Sequence, residues 1–245
     1  RRCNWTPVPR TFENYSGAKV MQSRLIIKKS ACELGINNAC AAVIEDITVS
    51  DDQSFVGVLQ SNLNHVASRL NELDSNIVYE GFAKQLKKLG YENTVSANEK
   101  LLRRFIAKGV YPINNIVDAY NAVSNRHGVS IGVHTYHQKD DIYVMRSDKP
   151  RVLRPLFAKK AITIPVGDIV YTCGDVPLAS IGKVDADAHD FRLTKDSSRL
   201  LVVILGHDDT SLQFNQGVIE ELVDTLRQKM PNLSHHFLET VRDHA

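Results

Sequence analysis

Apolar residues recur at helical spacing in several stretches of the chain and at strand spacing in others. From Phe55, FVGVLQSNLNHVASRLNELD puts Leu59, Leu63, Val66, Leu70 and Leu73 on one stripe, which predicts an amphipathic helix. YEGFAKQLKKLGY, residues 79–91, predicts a second, basic helix stopped by Gly90. Ser96 and Glu99 have the spacing of a capping box and open a third helix, EKLLRRFIAKG, which ends at Gly109. A fourth follows Pro112, and QGVIEELVDTLRQKM is amphipathic near the end. CAAVIEDITVSDD, from Cys40, is a β-branched apolar run and predicts a buried strand. After residue 136 the pattern changes. HQKDDIYVMRSD, VLRPLFAKKAITIPVGDIVYTCGD, PLASIGKVD and SSRLLVVILG read as strands separated by turn residues. The expectation is an α+β fold, with helices mainly in the first half and a mixed β-sheet in the second.

Composition narrows the class. Of 245 residues, 43% are hydrophobic and 24% charged, the balance of a soluble globular protein. No apolar run approaches the ~18 residues that span a bilayer, so no membrane partner is expected. The four cysteines form no C-x-x-C and are too few for a disulfide scaffold, which makes a reducing, cytoplasmic setting the default. A net charge of +2 leaves any nucleic-acid partner to local patches. The first 30 residues hold seven Lys/Arg against Glu13. The expected organisation is a basic N-terminal extension at 1–22, one domain at 23–230, and a fraying C-terminal tail at 231–245.

The stretch YPINNIVDAYNAVSNRHGVSIGVHTY, residues 111–136, sets Asn114, Asn115, Asp118 and Asn121 into a helix that none of them favours. At about 100° per residue, Ile116, Val117, Tyr120 and Val123 fall on one side. Asn114, Asp118 and Asn121 form a stripe opposite. Asn114 suits the N-cap. Short amides and a carboxylate close to the backbone fit a structural network that caps neighbouring turns, or a site that holds a ligand at short range. Gly128 is placed to end the helix, and Gly132, in a strand-like run, marks a close approach of backbone or ligand.

The pattern P-x-N-x-x-V-D-x-x-N-x-x-S followed by G-x-x-x-G is carried by Pro112, Asn114, Val117, Asp118, Asn121, Ser124, Gly128 and Gly132. It resembles the B3/B4 editing domain of the phenylalanyl-tRNA synthetase β chain, especially free-standing relatives, over roughly residues 25–230. The resemblance implies a free-standing aminoacyl-tRNA deacylase, a trans-editing factor that hydrolyses a wrong amino acid from the 3′ end of tRNA, with no cofactor and no metal. It makes Asn121, Asp118 and Asn114 the catalytic candidates, with Asp118 mainly bracing the turn. It puts Gly132, His134, His189 and Asp190 at the substrate pocket. Two departures stand out. Gly132 occupies a position that is usually histidine in the bacterial synthetase, and KVDADAHDF lacks the synthetases' Gly-Gly-acid signature. They keep a second reading in view: a non-catalytic tRNA-binding or assembly module that retains the editing fold.

The remaining candidates divide in the same way. DADAHD, 185–190, reads as a solvated turn, or as a cation-binding loop that lacks the glycine and distal Glu of an EF-hand, or as an acid placed in the pocket. His134 and His137 are three apart, which is weak as a metal pair without a further ligand. Lys84, Lys87, Lys88, Lys100, Arg103, Arg104 and Lys108 lie on two successive helices with few acids between them. They read as a tRNA-binding surface or as a solvated face. No P-loop, Rossmann or G-x-S-x-G pattern occurs.

Overall fold

The computed structural model describes residues 23–68, 76–137 and 139–243. The extension at 1–22, and Leu70 and Leu73 of the first predicted helix, lie outside the described residues. The elements run β1 (Arg24–Lys28), α1 (Lys29–Cys32), β2 (Cys40–Glu45), α2 (Val56–Ala67), α3 (Ile77–Lys88), α4 (Ala97–Lys108) and α5 (Asn115–His127). They continue with β3 (Gly132–Thr135), β4 (Ile142–Arg146), β5 (Arg151–Leu153), β6 (Ile162–Ile164), β7 (Ile169–Cys173), β8 (Val176–Ile181) and β9 (Ala186–Asp187). A 3-10 turn at His189–Phe191 leads to β10 (Arg199–Ile204), α6 (Leu212–Arg227), β11 (Ser234–Phe237) and β12 (Glu239–Asp243).

The strands form a six-stranded sheet, β12-β1-β4-β7-β8-β9, a four-stranded sheet, β11-β2-β10-β3, and the small hairpin β5-β6. The larger sheet is mixed: β1 runs parallel to both β12 and β4, and the rest is antiparallel. In β2 and β10 both faces are buried, which explains their unbroken apolar sequence. Successive side chains point to opposite faces. Ala41, Val43, Leu201 and Val203 therefore join a core shared with Leu25, Ile27, Ile142 and Ile169 of the six-stranded sheet. Cys40, Ala42, Ile44, Leu200, Val202 and Ile204 face Ile116 and Val123 of α5 and Val218, Ile219, Leu222 and Leu226 of α6. Fully burying one such aliphatic side chain contributes about 1.5–3 kcal/mol. The β2–β10 pair supplies them to both layers at once, so it is the spine of the fold. A third cluster joins α2 and α4 through Leu59, Leu63, Leu102 and Phe105.

The predicted helix signals are visible in the caps. Ser96 Oγ accepts the Glu99 N–H, Asn114 Oδ1 accepts the Val117 N–H, and Gly128 ends α5 in the left-handed conformation at φ 71°. Two segments differ from expectation. RLIIK, inside the expected domain but assigned no element, is an interior strand with Leu25 and Ile27 fully buried. The 231–245 segment, expected to fray, supplies β11 and β12, one to each large sheet. Both are edge strands, where one side faces solvent and polar residues are tolerated. That is why SHHF and ETVRD carry so little apolar signal.

Candidate functional site

A cavity of about 510 Å³ opens where the two sheets end against α3 and α4. Its walls are mostly apolar: Phe82 and Leu86 from α3, Ile131 beside β3, Ile181 from β8, and Val203 and Leu205 at the end of β10. The first residues of α4, Ser96 and Ala97, face it, as does the 155–158 turn between β5 and β6. The polar groups are few, as in small-molecule sites generally.

Two of them share one wall, with a histidine directly behind it. Tyr171 Oη lies 2.6 Å from His134 Nε2, and both side chains are buried. Burial pulls the His134 imidazolium down to about 3 and pushes the Tyr171 phenol well above its usual range. Both are neutral at any ordinary pH. Asp187 is the other group on the wall. Its Oδ1 stands 4.0 Å from His134 Nε2. Desolvation, with a smaller push from Asp185, raises its carboxyl to about 6. The side chain keeps 41% of its surface accessible, so the carboxylate is both crowded by apolar walls and reachable from the cavity. Asp187 has this position because β9 pairs with β8, which sets it opposite Ala179.

Gly132 explains itself in this setting. A Cβ on Gly132 would fall within contact radius of the Tyr171 hydroxyl and 3.2 Å from His134 Nε2. The missing side chain is what lets the phenol sit on the cavity wall. Gln85 adds an acceptor on the α3 side. Its Nε2 reaches the carbonyls of Leu34 at 3.4 Å and Gly206 at 3.3 Å. Two carbonyls can only face an NH₂, so the amide orientation is fixed and Oε1 remains as the free acceptor.

The structure distributes the sequence candidates unevenly. Gly132 lines the cavity, and His134 stands directly behind the wall. Asn114, Asp118 and Asn121 do not line it. Asn114 caps α5, Asp118 Oδ1 accepts the Ile113 N–H at 3.0 Å, and neighbouring Asn115 accepts from Ser50 N and donates to Thr48 O. Asn121 is buried and makes no side-chain hydrogen bond with the described residues. Asn114, Asn115 and Asp118 thus form a bracket around the helix entry. His189 and Asp190 also lie off the cavity: the 3-10 turn carries them outward, where Asp190 pairs with Arg154 at 2.7 Å. Arg154 and Arg192 both donate to His189 Nδ1. From the same DADAHD run, Asp185, Ala186 and Asp187 line the wall.

The basic face is largely neutralised. Lys84 pairs with Glu80 at 3.0 Å, Lys88 with Asp208 at 3.2 Å, Lys100 with Asp185 at 2.6 Å and Arg103 with Glu99 at 2.6 Å. Lys87, Arg104 and Lys108 form no ion pair with the described residues. The expectation of few acids counted only sequence neighbours; folding brings Asp185 and Asp208 from distant loops. Tyr171, Asp187 and Gln85 were not singled out by sequence. Tyr171 and Gln85 sit in ordinary strand and helix patterns and Asp187 in an acidic run, and only the meeting of β7, β9 and α3 gives them a common cavity.

Among the described residues no helix is long and apolar enough to cross a membrane. The family model "B3/4 domain" matches residues 82–224, more than half of the chain. No curated protein matches the sequence. Among solved structures, the fold is similar to an N-terminal fragment of the phenylalanyl-tRNA synthetase β-subunit from Pyrococcus horikoshii, with a TM-score of 0.50 at 11% identity. That similarity covers 91% of this chain and 52% of the other, so the chain spans about half the length of that fragment.

Proposed function

This chain belongs to the B3/4 domain family, and from that premise we propose that it is an aminoacyl-tRNA deacylase, hydrolysing the ester between an amino acid and the 3′ end of tRNA. The observation that carries the reading is the Asp187 carboxylate beside the neutral Tyr171 hydroxyl on the wall of a large, mostly apolar cavity. An aminoacyl ester is already activated, so the site needs only to hold it, orient a water and stabilise the oxyanion. Asp187, ionised above about pH 6, accepts a proton from the attacking water. Tyr171, protonated throughout, is suited to donate to the developing oxyanion. The acyl C–O bond breaks, and the ribose oxygen leaves as a hydroxyl, recovering the proton. The N-terminus of α4 opens on the same cavity and biases it toward negative charge. The apolar walls accept a large side chain, and Gln85 Oε1 offers one acceptor by which a hydroxyl-bearing side chain is distinguished from an apolar one.

The test is release of amino acid from a panel of correctly and wrongly charged tRNAs. Selective release from one mischarged tRNA is expected, falling at least about a hundredfold in Asp187→Asn. The bracket role of Asn114 and Asp118, away from the cavity, favours one competitor, a binding module without turnover. No release from any charged tRNA, with RNA binding intact, would establish that competitor.

A further inference from the structure

Residues 146–164, which span the β5–β6 hairpin, hold six Lys/Arg against one acid, Asp148. Three of the cations already have partners within the chain. Arg146 Nε donates to Gly167 O, Arg151 is buried beside Asp148 and Met145, and Arg154 pairs with Asp190. Lys149, Lys159 and Lys160 are exposed and form no ion pair with the described residues. At the tip between the strands sits Phe157, 94% exposed, although it lines the cavity mouth.

Phe157 is presented by a braced turn. The Leu156 N–H donates to the Asp187 carbonyl at 3.1 Å, the His189 N–H to the Arg154 carbonyl at 2.7 Å, and the Ala158 N–H to the Pro155 carbonyl at 3.0 Å. Pro155 and Ala188 form a β-bridge. The strand that places Asp187 in the cavity therefore also anchors the backbone that carries Phe157 at its mouth. An exposed aromatic on a backbone-braced turn, followed closely by two lysines, has the two elements of a single-strand nucleic-acid site: a π-face for an unpaired base and charge for the phosphates. The α3–α4 face is poor in the second element, because four of its seven candidate cations already face acids.

We propose that the β5–β6 turn seats the single-stranded 3′ end of an RNA, with Phe157 stacked on an unpaired base at the cavity mouth and Lys159 and Lys160 against its phosphates. This deepens the deacylase reading and rests on it for the identity of the strand. The probe is an uncharged RNA minihelix ending in single-stranded CCA, titrated against the full chain at several salt concentrations. Hydrolysis plays no part in that measurement, so its outcome is separable from turnover.

Phe157→Ala should weaken binding by roughly 10- to 100-fold, and Phe157→Trp should restore it. Lys159→Glu with Lys160→Glu should weaken binding and flatten its salt dependence, by about 0.7 in logarithmic slope for each phosphate that is no longer neutralised. Lys87→Glu with Arg104→Glu should change affinity less than about threefold, as expected if the strand bypasses that face. Unchanged binding in the hairpin variants, or no binding by the wild-type chain at low salt, would overturn the proposal. Self-association that Phe157→Ala abolishes, in a chain that ignores RNA, would assign the turn to a protein contact instead. Hairpin-dependent binding in a chain that releases no amino acid would leave the seat standing and remove the deacylase reading.

Discussion

Gly132 is the residue at which sequence, packing and chemistry meet most closely. Gly132→Ala drives a methyl group into the Tyr171 hydroxyl and crowds His134 Nε2. The phenol has to leave the wall or the backbone has to shift, at a cost of about 1–3 kcal/mol. The expected outcome is a lower denaturant midpoint together with loss of ester release, whereas Gly217→Ala, which meets nothing within 4 Å, should lower neither. Asp187 shows the opposite balance between stability and site. Its carboxyl is ordinarily near 3.8 and is raised to about 6 in the folded chain. Between those values the folded state holds a proton that the unfolded state has released, so stability falls as pH rises through the window, and the loss is complete above about 6. Asp187→Asn should therefore be more stable than wild type at pH 7 and nearly indifferent to this window. Thermal unfolding of the two proteins from about pH 4 to 7 checks this; parallel curves would contradict it.

At the scale of elements, α5 was legible in the sequence and its purpose was not. Its apolar side, its Asn114 cap and its Gly128 stop all follow from local rules, and all three are present. The stripe of Asn114, Asp118 and Asn121 also followed from spacing. Spacing alone could not say whether the stripe faced a cavity or a neighbouring segment, because that depends on where the chain at residue 113 passes. Asn114→Ala should cost about 1 kcal/mol of stability through the lost cap and leave turnover per folded molecule unchanged. Chemical denaturation beside single-turnover release separates the two effects. The edge strands were the least legible elements. Deleting residues 239–245 removes β12 and uncovers one side of β1, so the truncated chain should melt earlier than the full one. Equal melting temperatures would show that β12 contributes nothing to the larger sheet.

Across the whole molecule, the fold class could be read because β2 and β10 are buried on both faces and advertise it with unbroken apolar runs. The cavity could not be read. Gln85 belongs to an amphipathic helix, Tyr171 to an apolar strand, and Asp187 to an acidic run in which His189 looked more chemical. Only the packing of the sheets and helices brings them within reach of one ligand. Charge behaved in the same way: the basic helices α3 and α4 stood out in sequence, yet acids from distant loops pair with Lys88 and Lys100. The division of labour that results is simple. Two sheets and α5–α6 hold the frame, and α3, β7, β9 and the β5–β6 turn supply groups that face the cavity. The central claim is that Asp187, in its ionised form, drives ester hydrolysis in that cavity. The most direct measurement is the pH–rate profile of amino-acid release from the best mischarged tRNA, for wild type and Asp187→Asn. The wild-type rate should rise through about pH 6 and level off above it, and the variant should be at least about a hundredfold slower with no such rise. Equal rates in the two proteins, or a wild-type profile without the rise near 6, would contradict the claim.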